Sequence, residues 1–163
     1  MSRPIAIEGL ALALPAKARL LGIDLGAKTI GLAISDVERR LAGPLKTLPR
    51  RAFAADADAL TAIFAEFEVA GIVLGLPLDL EGRDSPRAQS TRAFARNLST
   101  RTDLPIVFWD ERFSTAVVTR ALIANDVSRA RRAQVVDKMA AAYILQGALD
   151  RLSSLARREG GAS

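Results

Sequence analysis

Residues 20–36 read LLGIDLGAKTIGLAISD. Leu20, Leu21, Ile23 and Leu25 are strand formers, and Ile30, Leu32, Ala33 and Ile34 supply a second apolar run. A tight turn containing Gly26 joins them, so the stretch is predicted as a hairpin. One carboxylate, Asp24, falls inside the first run. A charge in a buried strand is costly unless it is paired or binds a cation. Gly22, Gly26 and Gly31 leave room beside it, and glycine lets a backbone or a phosphate come close. Asp24 is therefore predicted as a ligand for metal or phosphate. The alternative is a turn aspartate bonded to its own backbone.

With 163 residues the chain is long enough for one domain with a real core. Half of the residues are hydrophobic and a quarter charged, the balance of a globular protein. Cysteine and histidine are both absent. That excludes disulfides, thiolate or imidazole zinc sites, histidine general bases and Ser–His triads. Hydrolytic chemistry would fall to carboxylates, lysines, hydroxyls or a bound ion. A net charge of +5 favours an anionic partner, nucleic acid being the usual one. No stretch is long enough to span a membrane. Residues 5–14 are apolar but interrupted by Glu8, with only Arg3 as a basic flank. They read as an extension packed on the domain and not as a signal peptide, so a cytoplasmic location is expected.

Beyond the hairpin, strands alternate with helices. Residues 44–48 are a candidate third strand. Leu60, Ile63, Phe64 and Phe67 make one apolar face of a helix over 52–68. Residues 71–75 read as a buried strand and 76–85 as a loop. A helix over 86–99 starts with Ser85 as its cap and Pro86 in its first turn. Residues 105–109 form another buried strand, Ser114 caps a helix to about 125, residues 129–132 make a basic connection, and the last helix covers 135–155. The order predicts an α/β domain with a mixed sheet, antiparallel first and parallel afterwards. The domain spans 20–155, with an N-terminal extension over 1–19 and a flexible tail over 156–163.

Other carboxylates could meet Asp24. Asp110 and Glu111 end the second buried strand. Asp137 sits early in the last helix and heads a stripe of Ala140, Ala141 and Ile144. Carboxylates brought together without a cation repel one another. Magnesium takes oxygen ligands and keeps several waters, so a few carboxylates suffice. Two such ions can support in-line attack on a phosphodiester without histidine. The bland readings are a helix-dipole role for Asp137 and a surface pair of Asp110 or Glu111 with Arg112.

Positive charge gathers around these acids. Arg83 lies in the glycine-bounded loop after residue 75. Arg129, Arg131 and Arg132 precede Asp137, Lys138 follows it, and Arg151, Arg157 and Arg158 continue the series. A basic patch beside an acidic pocket draws phosphates toward it. Aromatic residues are scarce, so recognition of backbone or shape is expected over base stacking.

Four motifs, GIDLGAKTIGLAISD, GIVLGLPLDLEG, DERFST and VVDKMAAAYILQ, occur in the order and spacing of the YqgF-type family. The resemblance covers about residues 20–150. This family is described both as Holliday-junction resolvases and as pre-16S ribosomal RNA processing nucleases, related to the RuvC-type resolvases. It implies an RNase H-like three-layer fold with a five-stranded mixed sheet in the order 3-2-1-4-5, flanked by helices. It implies Asp24, Glu111 and Asp137 as catalytic, metal-holding carboxylates, with Asp110 as neighbour or substitute for Glu111. Lys28 and Thr29 would lie near substrate phosphate, and Arg112, Ser114 and Thr115 would support the second acid or the substrate. The expected cofactor is Mg²⁺ or Mn²⁺, and the partner pre-16S rRNA or branched DNA; a homodimer is compatible with the sequence. Asp79 and Glu81 make the loop more acidic than the asparagine-bearing form of the family, and Phe113 replaces a leucine.

Two other readings compete. The GIDLGAKTIG hairpin also resembles the phosphate-binding hairpin of sugar kinases and heat-shock ATPases. Those proteins clasp ATP between two related subdomains, which one chain of this length without a repeat does not supply. The second is a non-catalytic module that holds ribosomal RNA during assembly.

Overall fold

Alternation inside the first strand sorts the molecule into two cores. The computed structural model describes residues 4–113 and 129–161, with the side chains of 129–136 and 160–161 left aside. Strand β1 spans Arg19–Leu25, and β2 (Thr29–Ser35) returns beside it as the expected hairpin. Leu21, Ile23 and Leu25 point to one face of the sheet; Leu20 points to the other. Gly22 and Asp24 share the face of Leu20, because side chains alternate along a strand.

Strand β3 (Ala42–Pro49) pairs antiparallel with β2, while β4 (Val69–Leu76) and β5 (Ile106–Asp110) follow parallel to β1. The sheet order is β3-β2-β1-β4-β5, with the expected mixture of directions. Helices α2 (Phe53–Glu66) and α3 (Pro86–Leu98) cover one face. Leu60, Ile63, Phe64, Phe94 and Leu98 pack there against Leu21, Ile23, Leu32, Ile72 and Leu74. Ser85 caps α3 as predicted: its Oγ accepts from Ala88 N at 3.0 Å and donates to Pro77 O at 2.6 Å.

The other face carries α1 (Ile7–Ala13) and a long helix α4 (Arg129–Gly161). Ala140, Ala141, Ile144, Leu145 and Ala148, all fully buried, form the underside of α4. The stripe below Asp137 therefore faces the sheet, as its spacing indicates. Small residues let this helix lie close: a Cβ on Gly22 would come within 2.9 Å of the Ala141 carbonyl and 2.8 Å of Leu145 Cβ.

Two boundaries differ from expectation. The segment from Arg129, predicted as a basic connection, is already helical, and the helix continues through 156–161 to Gly161. Neither Gly nor Pro interrupts 129–146, and alanine and arginine are its commonest residues, so helix propagates in both directions from the packed centre. Ile5 is tied to β5, its N donating to Ile106 O at 2.8 Å. The helix predicted over 114–125 lies outside the described residues.

Candidate active site

Asp24 is the penultimate residue of β1 and only 1% exposed. It has a glycine on either side in the sheet. Gly31 of β2 pairs with it directly. On the other side Leu74 pairs with Ile23, so Gly75 of β4 stands next to Asp24. Both glycines leave a gap on the face to which Asp24 points, and each gap is filled by an acidic residue from elsewhere in the chain. A Cβ on Gly31 would collide with the backbone of Asp137 in α4. A Cβ on Gly75 would lie 2.9 Å from Glu111 Oε1 and 2.6 Å from Ile144 Cδ1. Asp24 thus lies between Asp137 and Glu111, although 113 residues of sequence separate the first acid from the last.

The neighbouring acids Asp110 and Glu111 divide between two tasks. Glu111 opens a short 3₁₀ turn (Glu111–Phe113) and is buried against Gly75. Asp110 faces away and grips Arg112, with Oδ1 accepting from Nε at 3.1 Å and from the backbone N at 3.0 Å, and Oδ2 from Nη2 at 2.6 Å. Burial by itself would push the Asp110 carboxyl up. The Arg112 side-chain bonds, its backbone N–H and its charge together outweigh burial and hold the group below its ordinary value.

Arg112 in turn anchors the 76–85 loop. Its Nη1 reaches Leu80 O at 3.4 Å, and its guanidinium lies under Gly82, where a Cβ would come within 3.0 Å of Nη2. Gly82 has a φ of 82°, a backbone state that glycine adopts without strain. Asp79 staples the same loop by accepting from Arg83 N at 2.8 Å and Glu81 N at 2.9 Å. These backbone bonds, led by that of Arg83, hold its carboxyl below the ordinary range. Asp79 and Glu81, which made the loop look unusually acidic, both pair with Arg83. Arg83 is thereby drawn back into its own loop.

Thr29, at the start of β2, donates its Oγ1 to Asp137 Oδ2. Lys28 projects from the exposed tip of the β1–β2 turn, and Lys138 is half-buried beside Asp137. Ser114 and Thr115, and the side chains of Arg129, Arg131 and Arg132, lie outside the described residues. Two residues that sequence reading missed also reach the turn. Arg50 Nη1 donates to Gly26 O at 2.8 Å, and Arg87 Nη2 lies 3.4 Å from Leu25 O. Single arginines in a connection and a helix carry no local signal of this; only the sheet order brings them together.

The converging donors are carboxylates and a hydroxyl. Such oxygens suit a hard divalent cation, which is the kind of metal open to a chain without histidine or cysteine. Among the described residues, no group of three or more acidic side chains is gathered closely enough to hold a metal ion.

A five-stranded mixed sheet in this order, flanked by helices on both faces, is the RNase H-like fold. Residues 18–151 match the RuvX family, described as Holliday junction resolvase, and the chain belongs to that family. A relative from Rhodopseudomonas palustris (strain TIE-1), named "Putative pre-16S rRNA nuclease", is 62% identical over 145 residues, covering 89% of this chain and 91% of that protein. A protein of the same name from Bradyrhizobium sp. (strain BTAi1 / ATCC BAA-1182) is 62% identical over 143 residues, covering 88% and 89%. Among solved structures, Thermus thermophilus RuvC in complex with Holliday junction substrate superposes with a TM-score of 0.52 at 11% identity, covering 83% of this chain and 96% of the other. That likeness speaks for the shared fold.

Proposed function

We propose that this protein is a metal-dependent endonuclease that hydrolyses phosphodiester bonds in the cytoplasm, acting in 5′-end processing of pre-16S rRNA during ribosome biogenesis. The observation that carries the reading is the placement of buried Asp24 between two glycines whose gaps admit Asp137 and Glu111. The RNA assignment is supported by the name of relatives 62% identical to this chain.

In this reading Asp24, Glu111 and Asp137 hold Mg²⁺ or Mn²⁺, and Asp110 serves by fixing Arg112. Two bound ions would supply activation of water and stabilisation of the leaving oxygen. The chain's own residues do the rest. The sheet and α4 exclude water from the apolar floor below Asp24. Thr29 orients Asp137 through its hydroxyl. Lys28, Lys138 and the basic start of α4, with Arg129, Arg131 and Arg132, attract substrate phosphates. Arg112 and Arg83 act through the loop they hold, and Ser114 and Thr115 are proposed to support Glu111 or the substrate.

The test is cleavage of end-labelled pre-16S RNA and of a synthetic four-way DNA junction in Mg²⁺, Mn²⁺ and EDTA. Metal-dependent cutting of the RNA is expected, falling on the order of 10³-fold in Asp24→Asn. The family's description favours branched DNA as the second reading, and selective cutting of the junction would establish it. No cutting under any condition, with tight salt-sensitive RNA binding retained, would replace the nuclease with a ribosome-assembly module.

A further inference from the structure

The arginines around the C-terminal end of the sheet fall into two groups. Arg83, Arg92 and Arg112 are compensated by acids: Arg83 by Asp79 at 3.1 Å, Arg92 by Asp84 at 2.9 Å, and Arg112 by Asp110 at 2.6 Å. Arg50 and Arg87 make no ion pair among the described residues. Each instead approaches a carbonyl of the β1–β2 turn, Arg50 that of Gly26 and Arg87 that of Leu25, which directly follows Asp24. A carbonyl orients a guanidinium without neutralising it. Two positive charges are therefore parked beside the acidic site.

The surface here has a matching shape. A cleft of about 370 Å³ opens between the turn and α3, lined by Gly26, Ala27, Arg50 and Arg87. A second cleft of about 570 Å³ is lined by Leu78, Ser85, Arg87 and Glu111. Arg87 and Pro86 belong to the walls of both. Arg87 thus stands where one trough, coming from the turn, meets the trough that holds Glu111. A polyanionic strand lying along both would pass directly over its guanidinium. That planar group presents a fork of donors suited to two oxygens of one phosphate.

We propose that Arg87, backed by Arg50, is a phosphate-binding position for the substrate strand, holding a phosphodiester next to the one that faces Asp24 and Glu111. The inference rests on the nuclease reading above and adds to it the side by which the strand enters, between the β1–β2 turn and α3. Arg87 is a positioning residue in this scheme. It is solvent-exposed on the first turn of α3, so its replacement leaves the cores intact.

The ligand chemistry is the phosphodiester backbone, which RNA and DNA share, so two probes are used: a fluorescently labelled pre-16S RNA stem and a labelled four-way DNA junction. Anisotropy titrations in EDTA, over a series of salt concentrations, compare wild type with Arg87→Ala, Arg87→Lys and Arg101→Ala. Arg101 pairs with Asp58 after the C-terminal end of α3, and its loss changes the net charge equally. Arg87→Ala is expected to bind several-fold more weakly and to lower the slope of log Kd against log salt by about 1. Arg87→Lys restores the slope, while Arg101→Ala superposes on wild type. If wild type binds a probe and Arg87→Ala behaves as Arg101→Ala does, the phosphate position is wrong and the nuclease reading stands. If wild type binds neither probe, the nuclease reading falls and takes this inference with it.

Discussion

The two faces of the sheet are built on opposite principles. Toward α2 and α3, β1 presents Leu21, Ile23 and Leu25, and the neighbouring strands add Leu32, Ile72 and Leu74. Large side chains interlock there, and the buried carboxylate Asp56 is set in the first turn of α2, where it accepts from Arg51 N at 3.0 Å. Toward α4, the same strands present Gly22, Asp24, Gly31 and Gly75, and the helix answers with alanines interleaved with Ile144, Leu145 and Leu149. Backbone meets backbone, and the space withheld from side chains admits the Asp137 backbone beside Gly31 and the Glu111 carboxylate beside Gly75. The first face holds the domain together by burial of apolar area. The second gives up some of that burial to bring α4 close enough for Asp137 to reach the end of β1. A site and a core can thus share one strand, divided only by odd and even positions.

The sharpest way to break this contrast is to add bulk on the glycine face. Gly31→Val drives a side chain into the Asp137 backbone. It is expected to cost about 3 kcal/mol or more, since a helix backbone yields less readily than a side chain. Ile23→Val, which only removes one methylene on the opposite face, should cost about 1 kcal/mol. Urea denaturation of both measures the contrast, and equal costs would refute it.

Gly75→Ala acts more on function than on folding. The new methyl meets the Glu111 carboxylate and the flexible end of Ile144. Cleavage is expected to fall about 100-fold from a displaced acid. Stability should drop by no more than about 2 kcal/mol. A variant that cuts at the wild-type rate would show that Glu111 has no part in the chemistry.

In the proposed site Asp24 would share its surroundings with Glu111 and Asp137, and Asp24→Asn would relieve their mutual repulsion. In EDTA it is expected to stabilise the fold by on the order of 1 kcal/mol, as relief of strain at a functional site often does. A variant that melts well below wild type in EDTA would mean that Asp24 is held by structural partners.

The smallest effect concerns pH. The folded state holds the Asp110 carboxyl below its ordinary value of 3.8, so its contribution to stability is present above that value and fades as pH falls through the lower folded one. Wild type should therefore exceed Asp110→Asn in stability at neutral pH and converge on it in strong acid. A difference that does not vary with pH would show that the Asp110–Arg112 pair acts by packing alone.

Much of this was legible in one dimension. The two apolar runs of 20–36 and the glycine turn between them carry the hairpin and single out Asp24, because strand-forming runs and turn residues are local properties. The stripe below Asp137 was readable for the same reason, with a helical period. Absent histidine and cysteine already narrowed the chemistry to oxygen ligands. The tertiary structure alone decided the rest. Adjacent Asp110 and Glu111 look equivalent in sequence, and only the turn after β5 sends one to Arg112 and the other to Gly75. Arg83 reads as a phosphate contact until its partners Asp79 and Glu81 are seen, and only the fold settles that Arg112 pairs with Asp110. Arg87 reads as an ordinary helix residue, yet it stands beside Leu25, 62 positions away in the chain. Periodicity reports which face a side chain takes, and it is set within a few residues. Which groups share that face depends on strand order and helix approach, and these are settled by packing between segments that the sequence keeps far apart.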